Sequence, residues 1–372
     1  MIYLDNAATS FPKPREVAEA VNACITRYCG NPGRGAHPLS LASAEKIFAC
    51  RVALSDFLGV QAPERVIFTY NTTHALNLAI KGLFCPGAHI LISELEHNAV
   101  RRPLCRLRRE RGISFESFPV LGRTPMQIRE EIASRLRPQT AGVICTHASN
   151  ICSISLPLAE IGAFCHAKGL VFVVDAAQSA GHLPIDMAQM RISALAAPAH
   201  KALYGIQGAG ILALGEGIDP TPLLEGGSGS DSLAEEMPTL PPERFEAGTL
   251  STPAIAGLLA GVNFVRERGL ESIAAHERTL FRAARERLES IPAIEIYQKT
   301  QEGAVLIFNH AQYTPQEIAH RLAREGICVR AGLHCAPLAH EALGTLSRGA
   351  VRLGFGIFNT AAELDALWKA LK

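Results

Sequence analysis

Five consecutive apolar residues, Leu170-Val171-Phe172-Val173-Val174, stand between Gly169 and Asp175, a pattern that predicts a strand buried on both faces with the acid at its carboxyl end. Similar runs predict strands at Val66 to Thr69, Ala88 to Ile92, Ile113 to Val120, Ala141 to Thr146 and in the stretch that ends at Leu214. Helical spacing marks Arg15 to Tyr28 and Ser43 to Leu58, each closed by a nearby glycine, Gly30 and Gly59. A further helix opens at Asn71-Thr72-Thr73. Strands alternating with helices argue for an α/β fold with a mainly parallel, doubly wound sheet. Such sheets bind ligands at the carboxyl ends of their strands, and here those ends run into Asn71-Thr72-Thr73, His97, Asn150 and Asp175.

The last third changes character. A long helical stretch from Pro253 leads to a strand over Ala304 to Asn309, a capping box at Thr314-Pro315-Gln316-Glu317, a helix to Glu325, a stop at Gly326 and a strand over Ile327 to Arg330. Thr360 and Glu363 repeat the capping box before a final helix. The expected organisation is a large α/β domain over 15–255 and a small α+β domain over 256–372, joined by an N-terminal segment over 1–14. Two stretches, Asn31 to His37 and Glu225 to Pro242, are too rich in Gly, Pro and Ser to be regular. The glycines at 205, 208 and 210 precede a strand instead of opening a helix, which rules out a dinucleotide-binding turn. No internal repeat is found, so one ordered catalytic unit is expected.

Composition narrows the class. The chain has 372 residues, 48% of them apolar and 19% charged, with a net charge of +1, as expected of a globular enzyme. No long basic run points to nucleic acid or a membrane surface; Arg101, Arg102 and the arginines from Arg106 to Arg111 read as the solvated face of one helix. No apolar run reaches spanning length and the first five residues lack signal-peptide features, so a cytoplasmic location is expected. The ten cysteines are scattered without a CxxC pair, so no metal site is expected and most should be reduced, buried small hydrophobes.

Two charges carry the candidate chemistry. Asp175 at a strand end and Lys201 behind His200 suit pyridoxal 5'-phosphate, where a lysine amine binds the aldehyde covalently and a carboxylate keeps the ring nitrogen protonated. A helix-capping aspartate and a solvated lysine are the plainer alternative. Asp175-Ala176-Ala177-Gln178, followed by His200-Lys201 and Tyr204-Gly205, resembles the class V aminotransferases of fold type I, in particular the cysteine desulfurases, and the resemblance spans nearly the whole chain. It implies pyridoxal 5'-phosphate held by Lys201, with Asp175 on the ring nitrogen, Gln178 near the phenolate and His97 stacked on the ring and moving protons. Thr72, Thr73 and His200 would hold the phosphate. Thr249 would reach across a homodimer to the partner's phosphate. Asn150 would lie near cofactor and substrate, Arg352 would pair with the substrate carboxylate, and Arg330 and His37 would line the substrate side.

The segment Arg330-Ala331-Gly332-Leu333-His334-Cys335-Ala336-Pro337 resembles the cysteine-bearing turn of the second desulfurase group. It implies a nucleophilic Cys335, and Arg330 and His334 are placed to lower its pKa by positive charge. The implied reaction converts L-cysteine to L-alanine with a persulfide on Cys335; selenocysteine lyase activity would use the same residues, and a degenerate, non-catalytic scaffold is the reading from another class. The turn is short and followed by a proline, so a sulfur-acceptor protein would have to bring its thiol into the pocket. Pro198-Ala199 replaces the usual Ser-Gly before His200-Lys201, Asn71 replaces a glycine, and His74 stands where an acid is common.

Overall fold

The computed structural model describes every residue except 34, 230–232 and 298–301, so parts of the two expected loops, Arg34 and residues 230–232, lie outside the described residues. The chain runs β1 (Ile2–Tyr3), α1 (Arg15–Ala23), a π-helix over Cys24–Tyr28, α2 (Pro38–Leu58), β2 (Val66–Thr69), α3 (Thr72–Leu83), β3 (His89–Ser93), α4 (Asn98–Arg111), β4 (Ser114–Phe118), α5 (Pro125–Ser134), β5 (Thr140–Thr146), α6 (Leu158–Ala167), β6 (Val171–Asp175), β7 (Ala194–Pro198) and β8 (Gly210–Leu214). It continues with α7 (Thr252–Arg268), α8 (Leu270–Glu289), β9 (Ile294–Ile296), β10 (Val305–His310), α9 (Pro315–Arg324), β11 (Ile327–Cys328), β12 (Arg330–Gly332), α10 (Pro337–Ala342), β13 (Ala350–Gly354) and α11 (Ala361–Leu371).

Seven strands form the central sheet in the order β2-β8-β7-β6-β5-β3-β4. Among the described strands of this sheet β8 alone runs against the other six, so the sheet is mainly parallel, as the alternation of strands and helices predicts. Successive side chains point to opposite sides of a strand, and all the strands except edge strand β4 bury most residues on both faces. Phe172 and Val174 join the core beneath α2, α6 and α7, while Val173 faces the core beneath α3 and α4. Phe172 is fully buried, and its replacement by alanine is expected to cost about 3–5 kcal/mol.

Strand β7 is not anticipated from the pattern: Ala194-Leu195-Ala196-Ala197-Pro198 contains no β-branched or aromatic residue. It forms because β6 and β8 supply hydrogen-bonding partners on both sides and all five residues are buried, a case of tertiary setting overriding propensity. Helix α2 starts at Pro38, five residues earlier than expected, because His37 caps it and Pro38 takes the first turn. Helix α1 ends at Ala23 and passes into the π-helix.

Gly269, at φ 81°, separates α7 from α8; the expected boundary at 255/256 falls inside α7. Beyond it, β12-β13-β10-β9 form an antiparallel sheet whose core includes Phe281, Leu306, Phe308, Val351, Leu353 and Leu364. The N-terminal segment belongs to this part of the fold. Strand β1 pairs in parallel with β11, Leu4 enters the core, and Asp5 bridges to Gly354. Both capping-box glutamates take part as expected: Glu317 accepts the Thr314 N–H at 2.7 Å and Glu363 the Thr360 N–H at 2.9 Å. Among the described residues no helix is long and apolar enough to cross a membrane. The topology brings the carboxyl ends of β3, β5, β6 and β7 to one edge, and the segments after them carry His97, Asn150, Asp175 and Lys201.

Candidate active site

A cavity of about 110 Å³ opens at this edge, walled by Thr72, Thr73, His97, Asn150, Asp175, Gln178, His200 and Lys201 among others. At one end stands the start of α3, whose first turn has N–H groups without intrahelical partners. Asn71 caps the helix, its Oδ1 accepting the His74 N–H at 2.9 Å. The Thr72 hydroxyl is therefore not the cap. It is buried and has no hydrogen-bond partner, and the same holds for His200 Nδ1. A helix start with unpartnered polar atoms in the same cavity is a fitting place for an anion.

Lys201, half-buried, and Asp175, buried, line the same cavity. Burial pulls the Lys201 amine down to about 8, while Asp175 acts to raise it and the guanidinium charges of Arg352 and Arg330 lower it further. An amine in that range is a better nucleophile at neutral pH than an ordinary lysine. Asp175 is buried, which raises its pKa against the lowering effects of the Ala177 N–H at 2.9 Å and of the Lys201 charge. His97 caps α4, with Nδ1 accepting the Ala99 N–H at 3.0 Å. Burial first, then the Lys201 charge, pushes its pKa to about 4, so His97 is neutral with its proton on Nε2. Gln178 donates to the Ala7 carbonyl at 2.9 Å, joining the cavity to the N-terminal segment.

The Cys335 turn is fastened to this cavity from two sides. Asn98 N–H, next to His97, donates to the Cys335 carbonyl at 2.7 Å, and Asn150 Nδ2 donates to the His334 carbonyl at 2.8 Å. His334 and Cys335 have φ of 49° and 56°, two consecutive non-glycine residues in the left-handed region at a cost of order 1–3 kcal/mol each. Cys335 is exposed. Arg352 is buried in β13; its Nη2 meets Asp5 Oδ1 at 2.7 Å, its Nη1 donates to the Asn150 carbonyl at 3.2 Å, and its Nε has no partner. The expectation that His334 lends positive charge to the thiol is overturned. Its ring is buried and its pKa is pushed down to about 3, chiefly by burial and then by the Arg352 charge, so it is neutral.

A family profile for the class V aminotransferases matches residues 2–367. The chain belongs to the class V aminotransferase family. It is 32% identical to a probable cysteine desulfurase of Pyrococcus abyssi, over 100% of this chain and 94% of the relative. It is also 32% identical to a probable cysteine desulfurase of Mycolicibacterium paratuberculosis, of whose length it spans 55%. The apo structure of a cysteine desulfurase from Thermococcus onnurineus superposes with a TM-score of 0.91 at 32% identity, covering 100% of this chain and 93% of that one. The fold is that of the fold-type I enzymes.

Members of the class V aminotransferase family use pyridoxal 5'-phosphate, and the cavity fits that group. The unpartnered Thr72 hydroxyl, in the first turn of α3, and the unpartnered His200 Nδ1 belong to residues lining one cavity, as a phosphate site would need, and a buried acid and a lysine of lowered pKa stand in the same cavity. Five expected residues do not line it: Arg352 and Cys335 adjoin it through Asn150 and Asn98, while His37, Thr249 and Arg330 lie elsewhere. His37 is exposed at the start of α2, its Nδ1 accepting the Ser40 N–H at 3.3 Å. Thr249 lines a separate cleft of about 620 Å³ together with Asn31, Gly33 and Gly229. Arg330 is exposed on β12, paired in register with Arg352.

Other residues enter that the motifs do not announce. Asp5 holds Arg352 across the whole length of the chain. Lys13 donates to the His200 carbonyl at 2.8 Å. Glu96, buried next to His97, is pushed up to about 8 by burial. Among the nine other cysteines five are buried, Cys105 and Cys328 are half-buried, and Cys29 and Cys85 are exposed, so the expectation of burial holds for a bare majority.

Proposed function

We propose that this protein is a pyridoxal phosphate-dependent cysteine desulfurase that converts L-cysteine to L-alanine. Bound in the cavity, the cofactor would supply an electron-withdrawing ring that labilises bonds around the α-carbon of an amino acid. Lys201 is the covalent anchor, and its lowered pKa suits it to give and take protons near neutrality. Asp175 keeps a proton on the ring nitrogen, Gln178 and His97 orient the ring, and Thr72, Thr73 and His200 hold the phosphate. Arg352 and Asn150 orient the substrate carboxylate, a task for a guanidinium with free donors.

Cys335 then attacks the substrate sulfur as a thiolate. A bond forms between the two sulfurs while the substrate carbon–sulfur bond breaks, and the carbon takes a proton. Cysteine plus the Cys335 thiol therefore becomes alanine plus a Cys335 persulfide, with no outside oxidant. The observation that carries this reading is the double fastening of the Cys335 turn to the cavity wall by Asn98 and Asn150, which a structural cysteine does not need. A homodimer completes the site in this reading, with His37 and Thr249, both remote from their own cavity, serving the partner's. An acceptor thiol, on a small molecule or a sulfur-acceptor protein, removes the persulfide.

The test is direct. The purified holoenzyme is expected to release alanine from L-cysteine and, in parallel, from L-selenocysteine, and with L-cysteine to show a mass increase of one sulfur on the Cys335 peptide. Cys335→Ser is expected to keep the cofactor absorbance and to lose cysteine-derived sulfur release by about a hundredfold or more, as for removal of a covalent nucleophile. Undiminished sulfur release from that variant refutes the assignment.

A further inference from the structure

Beneath the Cys335 turn lies a buried chain of polar side chains that the sulfur chemistry does not itself use. His334 Nδ1 is 3.2 Å from His340 Nε2, and His340 Nδ1 is 2.7 Å from the Thr345 hydroxyl. His334 Nε2 is 3.3 Å from the Arg330 carbonyl. The two ring planes are near-parallel at 15°. All three side chains are buried, His340 completely.

Hydrogen-bond bookkeeping gives this chain a single direction. A carbonyl only accepts, so His334 Nε2 carries a proton. Burial keeps both rings neutral, which leaves His334 Nδ1 bare, and it accepts from His340 Nε2–H. His340 Nδ1 is then bare in turn and accepts the Thr345 hydroxyl proton at 2.7 Å, a shorter contact than the 3.3 Å from that hydroxyl to the His340 carbonyl. Thr345 to His340 to His334 to the Arg330 carbonyl is thus one satisfied line, with no orphaned donor along it.

The line ends inside the turn it supports. Asn98 and Asn150 hold the backbone carbonyls of Cys335 and His334 from the cavity side; only the ring of His334 is held from below. Two consecutive left-handed residues persist where their surroundings over-determine them.

We propose that His340 and Thr345 are positioning residues that lock the His334 ring from beneath and so aim the Cys335 thiol at the cavity. The step they serve is the sulfur transfer, so for its activity readout the inference rests on the desulfurase reading. His334 is a strut and not a base for the thiol, because both its ring nitrogens are engaged. Short helix α10 and the residues after it exist in this picture to place His340 and Thr345 under the turn.

The test compares variants that break the line with variants that restore it. In the holoenzyme, His340→Leu is expected to slow single-turnover persulfide formation about tenfold, within the range for a misplaced reacting group, with KM for cysteine within about twofold. His340→Gln, whose amide can donate to His334 and accept from Thr345, is expected to recover to within about threefold of wild type. Equal rates for His340→Leu and wild type, or a His340→Gln no better than His340→Leu, overturn the inference. Should His340→Leu not fold, Thr345→Val against Thr345→Ser makes the same comparison: a loss of about threefold for the first and none for the second is expected, and no difference between them overturns it. Alkylation of Cys335 by iodoacetamide needs no substrate and separates the two readings. A wild type that forms no persulfide from cysteine refutes the desulfurase reading, whereas an alkylation rate changed at least about threefold by His340→Leu and restored by His340→Gln upholds the positioning role, and an unchanged rate refutes it.

Discussion

The start of α3, which lines the cavity, and the Cys335 turn, which is joined to its wall through Asn150 and Asn98, are built on opposite plans. At the start of α3 polar atoms stand without partners: the Thr72 hydroxyl and His200 Nδ1 are buried and unsatisfied. At the Cys335 turn the backbone carbonyls of residues 334 and 335 and both ring nitrogens of His334 are engaged. A buried polar group left unpaired costs about 1–3 kcal/mol, so the first end is stabilised by filling it. The second is complete without a ligand, and its satisfied bonds serve geometry. On the proposed function, one end receives a group and the other holds a reactive atom still.

The largest effect expected from separating the ends is that of Lys201→Ala. Without the covalent anchor, the visible absorbance of lysine-bound cofactor should vanish and alanine formation should fall by about a thousandfold or more, in line with loss of a covalent catalyst. The Cys335 turn should be untouched, because none of its hydrogen bonds involves Lys201. Iodoacetamide alkylation of Cys335 and the melting temperature of the cofactor-free protein measure that independence. A Cys335 alkylation rate that drops with the lysine would mean the two ends are one unit.

Thr72→Val probes the receiving end with a smaller change and two opposite signs. Its hydroxyl has no partner in the cofactor-free protein, so its removal should leave the apo melting temperature unchanged or slightly raised. Cofactor affinity should fall about tenfold, the loss of one hydrogen bond to a charged group. Equilibrium dialysis with pyridoxal phosphate and apo-protein melting check the pair of signs. A variant destabilised in the apo state would show that the hydroxyl has a structural partner after all.

Much of the receiving end is legible in the sequence, because its residues follow apolar runs: Asp175 ends Val171-Phe172-Val173-Val174, and Asn71-Thr72-Thr73 ends Val66 to Thr69. A strand buried on both faces writes itself as a continuous apolar run, and the residue that breaks it is at the ligand edge. The turn is legible only in part. Cys335 stands out by its motif, but the neutral state of His334 depends on burial and on a histidine in α10, and neither His340 nor Thr345 lies in a periodic pattern. The Asp5–Arg352 pair joins residues at opposite ends of the chain, beyond the reach of any local spacing. Strand β7 is hidden for a related reason, since an alanine-rich segment becomes a strand only through the neighbours on either side.

The smallest expected effect tests whether an unpartnered atom always means a ligand. Glu96 Oε2 is buried and unpartnered, as the Thr72 hydroxyl is, yet Glu96 is not among the residues that wall the cavity. Its other oxygen accepts from the Ser93 hydroxyl and, at 2.7 Å, from the Thr146 N–H. Burial, opposed by those bonds, raises its pKa from 4.5 to about 8, so at neutral pH the spare oxygen carries a proton instead of awaiting a ligand. Between those two values the folded protein keeps a proton that the unfolded chain has released. The resulting stability is therefore complete at low pH and lost as pH rises through about 8, with a slope of at most about 1.4 kcal/mol per pH unit. Glu96→Gln mimics the protonated acid and does not titrate. Its margin over wild type should already be open at pH 6, widen as pH rises to about 8 and level off by pH 9, each 1 kcal/mol of margin corresponding to roughly 2 °C or more in a chain of this size. Melting curves of both proteins across pH 6 to 9, at saturating cofactor, measure the difference. Parallel curves would mean that Glu96 is ionised throughout, and the spare oxygen would then have to be assigned to a cation or a ligand of its own.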